Sequence, residues 1–403
     1  MLPLKGVRVV AVEQYGAGPF GTLYLANLGA EIIKVEDVSQ GGDVGRTVGP
    51  YFVKGEEEEE NKDNTSLFFQ GFNHNKKSLS LNLKTEEGQQ ILQKLIATAD
   101  GVSCNLRGDV PEKLGITYKA LRKINPRIVC AHLTAYGRSG SRATWPGYDY
   151  PMQAEAGYFK LTGEPDSPPT RCGLSLVDLS TGVAMALALV SGILSAQEMG
   201  RGRDIDVSLF DNALYNLCYV AMWQLNAGHN QQRPPRSAHF SLTPCQLYTT
   251  KDDWIYLMCN KEKFWVELCN AVGHSGLCQD PRFVDFKARL KHRDSLTTEL
   301  DKIFSKKTTT EWLKILTGRV PAAPIYDVEQ ALNNPFVAET GRIRSMTSDA
   351  GNEIKILAPS IHCGDETVEF RRAPHLGEDN ESILQELGYS AEEIGKFAKQ
   401  RII

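Results

Sequence analysis

Asp178 is the residue in this sequence best placed for covalent chemistry. It stands in Ser175-Leu-Val-Asp-Leu-Ser-Thr-Gly182, directly ahead of the uncharged run 183–196. The run has helical composition, which predicts a buried helix with Asp178 in the turn at or just before its first residues. Two readings are open there. An aspartate at a helix start is a favoured N-cap, because its oxygen accepts a free backbone N–H. A carboxylate kept ionised by the positive helix end is also a nucleophile for a reactive carbonyl.

Three other groups have chemical potential. Gly16, Gly18 and Gly21 spell a G-x-G-x-x-G after the β-branched run 6–13, and Glu36 closes the next strand, as in a dinucleotide fingerprint. Gln14 and Tyr15 intervene before the first glycine, and Pro19 has no N–H to give a phosphate, so the pattern is a weak NAD signal. Lys76 and Lys77 lie on a turn and read either as surface charge or as partners for nucleotide phosphates. Tyr148 and Asp149 fall in the aromatic loop 145–153, where such residues serve turns or a site.

These residues must be carried by elements. Strand patterns at 6–13, 31–36, 79–83, 101–106 and 127–134 alternate with helical patterns, which predicts an α/β fold with a doubly wound, Rossmann-like parallel sheet. Its working crevice lies at the carboxyl ends of the strands. The polar, Pro-containing stretch 228–237 marks a boundary. The expected organisation is a large first part at 1–227, a small α/β domain at 228–325 and a return segment at 326–403.

Composition narrows the function classes. The chain has 403 residues and a net charge of -4, with no basic stripe interleaved with aromatics, so no nucleic-acid partner is expected. The opening residues lack signal-peptide regions, and 183–196 is shorter than the roughly 20 residues of a membrane span. The expectation is a soluble, cytoplasmic protein with no membrane partner. Nine scattered cysteines without C-x-x-C or ligand-spaced His pairs fit reduced thiols and argue against a metal site. The acidic run 56–60 reads as solvated surface.

Several spaced motifs, in one order from residue 4 to the end, resemble the family III coenzyme A transferases, which include formyl-CoA and carnitine CoA transferases and the α-methylacyl-CoA racemases. They are Leu4-Lys-Gly-Val-Arg-Val-Val-Ala-Val-Glu-Gln-Tyr-Gly-Ala-Gly-Pro-Phe20, Leu28-Gly-Ala-Glu-Ile-Ile-Lys-Val-Glu36, Asn73-His-Asn-Lys-Lys-Ser78, Gly200-Arg-Gly-Arg-Asp-Ile-Asp-Val207 and Ala373-Pro-His-Leu-Gly-Glu-Asp379. The resemblance implies that Asp178 is the nucleophile, that Tyr148 and Asp149 match the transferase pair, and that Gln14 stands beside the reacting carbonyl. By the same resemblance Gly16, Ala17, Gly18, Lys76, Asn105, Lys113 and Tyr136 serve coenzyme A. The racemases carry His at the Tyr148 position; a phenol is a poor base for an α-carbon at neutral pH, which favours transferase over racemase. A non-catalytic acyl-CoA-binding protein is the alternative from another class.

The resemblance further implies a coenzyme A thioester as substrate, no resident cofactor, and an interlocked homodimer of ring-like chains, each large domain completed by its own C-terminal segment. The surroundings of Gln14-Tyr15 and Cys259-Asn-Lys-Glu-Lys-Phe-Trp265 look like members using succinyl-CoA or another dicarboxyl-CoA. Leu106 replaces the aromatic that often follows the family's Asn, and Ser237-Ala-His-Phe-Ser-Leu-Thr243 replaces the glycine-rich loop of formyl-CoA transferase.

Overall fold

The computed structural model describes residues 1–54, 66 through 364 with Thr65, Glu366, and 368–403, so the acidic run 56–60 lies outside the described residues. The chain divides into two compact units. One comprises Met1–Ala156, Cys172–Met222 and Thr340–Ile403; the other comprises Gly157–Arg171 and Trp223–Glu339.

The first unit is built on six parallel strands: β1 (Arg8–Val12), β2 (Glu31–Glu36), β3 (Lys77–Ser80), β4 (Gly101–Cys104), β5 (Val129–Thr134) and β6 (Arg203–Ser208). Their order across the sheet is β3-β2-β1-β4-β5-β6. The chain therefore winds outward twice from β1, the Rossmann-like arrangement, and the strand order reverses between β1 and β4. Registers such as Val10 opposite both Ile33 and Val102 align hydrophobic residues across the centre. Buried on both faces, the central strand β1 is a continuous apolar run, whereas the edge strand β6 alternates charged and apolar residues.

Alternation along β4 shows what covers each face. Val102 points into a core with Ile91, Leu92, Leu95 and Ile96 of the helix Glu86–Ala97, and with Ile383, Leu384 and Phe397 of the C-terminal helices. Gly101 points the other way, where an added methyl would come 2.9 Å from Leu189 Cδ1 of the helix Leu176–Met199. The C-terminal segment returns to the β3 edge: Asp379 Oδ2 accepts the Ser78 N–H at 2.9 Å, and the Asn82 N–H reaches Ile402 O at 2.7 Å. The same segment also forms an antiparallel pair, Ile343–Thr347 with Glu353–Leu357.

The long helix departs from expectation in two respects. It begins at Leu176, so Asp178 is its third residue and does not cap it; Ser175 is the N-cap and makes no side-chain cap bond. It is also buried on one face only. By length and mean hydropathy (24 residues, 1.8) the helix would suffice for a membrane span. Its packing on β5, β6 and the helix Ala17–Asn27 accounts for one apolar stripe. Val183, Leu187 and Leu194, at 40%, 67% and 62% exposure, form another that faces outward.

The second unit holds an antiparallel sheet of β7 (Cys245–Thr249), β8 (Trp254–Met258) and β9 (Ala322–Pro324) with helices Glu262–Ala271, Arg293–Phe304 and Thr309–Leu316. Trp265, Phe283, Phe304 and Trp312 fill its core. Trp312 Nε1 donates to Phe304 O at 2.7 Å, so the indole N–H is satisfied inside that core.

Candidate active site

Asp178 lies where two helices begin. It occupies the first turn of its own helix, and its carboxylate lies against Gly16, the N-cap residue of the helix Ala17–Asn27: a methyl on Gly16 would come 3.2 Å from Asp178 Oδ2. Free N–H groups and positive helix ends thus converge on one carboxylate. The side chain is only 8% exposed. Burial and, second, the charge of Asp149 raise its pKa from the ordinary 3.8 to about 7.

Asp149 supplies the missing helix cap from outside the helix. Its Oδ2 accepts the Asp178 backbone N–H at 2.9 Å, and its Oδ1 accepts Gln153 Nε2 at 2.6 Å. Gln153 is fully buried; it also donates to Leu174 O at 3.0 Å and accepts the Cys172 N–H at 3.0 Å. Gln153 thereby locks Asp149 to the chain entering the long helix. Sequence reasoning missed Gln153, although its place four residues after Asp149 on a short helix was the available signal.

A cavity of about 410 Å³ opens onto Asp178. Gln14, Tyr15, Gly16, Ala17, Asn105 and Tyr148 line it together with Leu106, Arg107 and Trp145. A second cavity of about 280 Å³ shares Gln14 and Leu106 with the first and runs past the carboxyl ends of β1 and β2, between Leu81, Leu83 and Leu114.

The three glycines of the dinucleotide-like pattern have separate packing duties. Gly16 makes room for Asp178. Gly18 makes room for Asn105, whose Cβ and Cγ would each lie 2.8 Å from an added methyl. At Gly21 the two helices cross backbone to backbone: a methyl there would come 2.4 Å from Gly182 O, and one on Gly182 would come 2.4 Å from Ala17 O. Close approach of main chain to side chain and to main chain explains the pattern without a pyrophosphate.

The family model for CoA-transferase family III matches residues 4–380. The chain belongs to CoA-transferase family III. It is 34% identical over 389 residues to an acetyl-CoA:oxalate CoA-transferase of Acetobacter aceti, covering 95% of each chain. It is 32% identical over 395 residues to a succinate–glutarate CoA-transferase of Agrobacterium fabrum, covering 96% of each. The crystal structure of a CAIB/BAIF family protein from Brucella suis superposes with a TM-score of 0.80 at 30% identity, over 96% of this chain and 99% of that one. The protein is thus a CoA-transferase, with a coenzyme A thioester as its substrate.

Within this family III chain, the residues expected from sequence separate into two groups. Asp178, Asp149, Gln14, Tyr148, Gly16, Ala17, Gly18 and Asn105 gather at or directly behind the first cavity. Lys76, Lys113 and Tyr136 are not brought to it. Lys76 is buried and its ammonium is committed to Glu13 Oε1 (2.9 Å), Pro19 O (2.9 Å) and Asn73 Oδ1 (3.1 Å). Those three bonds use all its donors, so it braces the helix start rather than meeting a phosphate. Lys113 is exposed and pairs with Asp109 at 2.5 Å, and Tyr136 donates to Glu155 Oε2 at 2.7 Å between the rings of Trp145 and Phe210. Lys77 pairs with Glu31 at 2.6 Å. Asn105 is spent on the Gln14 backbone, accepting its N–H at 2.8 Å and donating to its C=O at 2.7 Å. Trp265, singled out with Cys259, is a core residue of the second unit. Among the described residues no cluster of three or more His, Cys, Asp or Glu is placed to hold a metal ion.

Proposed function

We propose that this transferase moves coenzyme A between two carboxylic acids through covalent intermediates on Asp178, with succinyl-CoA or another dicarboxyl-CoA as donor. The observation that carries the reading is the placement of the Asp178 carboxylate against Gly16 at the wall of the first cavity. Asp178 Oδ attacks the thioester carbonyl, and the backbone N–H groups beginning the helix Ala17–Asn27 stabilise the oxyanion. The C–S bond breaks, leaving an acyl-aspartyl anhydride and CoA thiolate. The thiolate attacks the aspartyl carbonyl, the donor acid departs as carboxylate, and an aspartyl-CoA thioester remains. The acceptor carboxylate attacks that thioester and expels the thiolate. Attack of the thiolate on the acceptor carbonyl of this second anhydride releases acceptor-CoA and restores Asp178.

The two cavities sharing Gln14 and Leu106 suit one extended thioester, the adenosine end between Leu81, Leu83 and Leu114 and the acyl end at Asp178. The dicarboxyl preference draws on the oxalate, succinate and glutarate named for the two relatives, and on Arg107, a cation in the lining of the first cavity. Arg107 is paired with Asp109 at 2.5 Å and would exchange that partner for a distal substrate carboxylate. A homodimer is part of the proposal, supported by the outward apolar stripe of the long helix.

Mass spectrometry after mixing with succinyl-CoA and trapping with hydroxylamine tests the reading. A modification mapped to Asp178 is expected, and it disappears in Asp178→Ala. No modification with any of a panel of acyl-CoA thioesters, while α-carbon exchange with D₂O proceeds, would replace the transferase mechanism with a racemase one.

A further inference from the structure

Four consecutive backbone polar groups before Gly16 are each held by a side chain. The Glu13 C=O accepts Lys34 Nζ at 2.9 Å, Asn105 takes both the N–H and the C=O of Gln14, and the Tyr15 N–H donates to Asp43 Oδ1 at 2.9 Å. The turn they fix is an unusual one. Tyr15 has φ +67°, the left-handed region that a bulky side chain populates only when its surroundings impose it.

Lys34 and Asp43 are partners of one another. Nζ and Oδ2 lie 2.8 Å apart, and both side chains are fully buried. The pair therefore grips the turn from both ends, Lys34 on the carbonyl before Gln14 and Asp43 on the amide after it. Asp43 is anchored in turn: its Oδ1 also accepts the Gly45 N–H at 2.8 Å, and its own N–H donates to Glu36 Oε2 at 3.0 Å. Arg46 holds that same Glu36 carboxylate and the Pro374 carbonyl.

Lys34 stands in the middle of β2, flanked by Ile32, Ile33 and Val35, where an aliphatic residue would satisfy the core. A buried ion pair is a poor way to stabilise a fold, because desolvation offsets most of the attraction. Its value here is directional. We propose that the Lys34–Asp43 ion pair is the positioning device of the transfer reaction, holding Tyr15 in the left-handed turn that sets Gly16 and the start of the helix Ala17–Asn27 against Asp178. Asp43 borders the second cavity, but both side chains are fully buried and act through the turn. The inference rests on Asp178 being the nucleophile.

The test is a rescue. Asp43→Ala is made in the native chain and in Tyr15→Gly, since glycine adopts positive φ without a clamp. Single-turnover formation of the Asp178 adduct from succinyl-CoA, and steady-state kcat and KM, are read for all four proteins. Asp43→Ala is expected to slow adduct formation about 100-fold with KM changed less than about 3-fold, the signature of a misplaced group rather than lost binding. In the Tyr15→Gly background the same change is expected to slow it less than about 10-fold. Equal slowing in both backgrounds, an unchanged rate, or an effect confined to KM overturns the proposal. If Asp43→Ala does not fold, Asp43→Asn is read in the same cycle against the same criteria. Absence of the adduct in the native protein overturns the nucleophile reading itself, and this inference with it; an adduct that forms normally in Asp43→Ala overturns this inference alone.

Discussion

Asp149 Oδ2 accepts the backbone N–H of Asp178 at 2.9 Å, so one carboxylate caps the helix that carries the other. The arrangement fixes where the Asp178 chain enters its helix and places a like charge beside its side chain. Burial is the larger cause and that repulsion the second, and together they raise the pKa from the ordinary 3.8 to about 7. A carboxylate with that pKa is more basic than an ordinary aspartate, which suits the nucleophilic role proposed for it.

The pH dependence follows directly. Only ionised Asp178 attacks, so the rate of adduct formation should rise with pH through a midpoint near 7. Asp149→Asn removes the charge and should move the midpoint to lower pH. Asparagine has a single acceptor for the two donors that Asp149 now serves, so about 1 kcal/mol of stability should be lost as well. Stopped acylation reactions between pH 5 and 9 check this; an unmoved midpoint in Asp149→Asn would mean that the neighbouring charge has no part in it.

Stability carries the same signature with a defined sign. Because the folded pKa is raised, the folded state holds a proton that the unfolded state releases between pH 4 and pH 7. Stability from this group is therefore full below about pH 4 and is lost as pH rises through 7. Asp178→Asn avoids that loss, and its advantage over the native protein should grow by roughly 4 kcal/mol from pH 4 to pH 8. Urea midpoints at the two pH values measure it.

Gly16 and Gly21 should fail in different ways when changed to alanine. The Gly16 methyl would press on a side-chain oxygen at 3.2 Å, which can give way at the expense of aim. Activity should fall at least about tenfold with little change in melting temperature. The Gly21 methyl would meet the Gly182 carbonyl at 2.4 Å, and the two helices must separate. That should destabilise by about 1–3 kcal/mol. Thermal melts beside initial rates distinguish the two; matching losses of stability would contradict the separate duties assigned to them.

Lys76 offers a contrast between bracing and binding. Lys76→Met removes the cation paired with buried Glu13 and leaves that carboxylate to the Thr22 and Ser103 hydroxyls, a loss of about 3–5 kcal/mol. KM for the acyl-CoA should hardly move in whatever fraction remains folded. A raised KM with an unchanged melting temperature would instead return Lys76 to the phosphates.

Much of this was readable from residue order, and what was not has physical causes. The parallel sheet announced itself in β-branched runs at 6–13, 31–36 and 127–134, because strands buried on both faces carry no polar alternation. Asp178 was visible as a charge ahead of an apolar helix, yet its capping by Asp149 was not, since the two meet only through tertiary packing 29 residues apart. Lys76 beside Lys77 looked like a phosphate clamp because sequence shows charge but not the Glu13 carboxylate awaiting it. Lys34 inside an aliphatic strand was the overlooked clue: a lysine there needs a buried partner, and Asp43 is nine residues away.

The outward face of the long helix makes a statement about assembly. Val183, Leu187 and Leu194 recur at four- and seven-residue spacing, so they share one stripe, and each is at least 40% exposed. An isolated exposed leucine is ordinary, but a stripe on the helix that carries Asp178 is apolar surface suited to a second copy. Leu187→Glu combined with Leu194→Glu should convert a dimer into monomers, because two charges at the centre of an apolar interface are desolvated without partners. Sedimentation equilibrium across a range of concentrations reads the change. A native protein that sediments as a monomer throughout, or a double variant that remains dimeric, would place the subunit contact elsewhere or remove it. Should the double variant be monomeric and lose the Asp178 adduct as well, the active site depends on the assembly, since neither leucine lines the cavity.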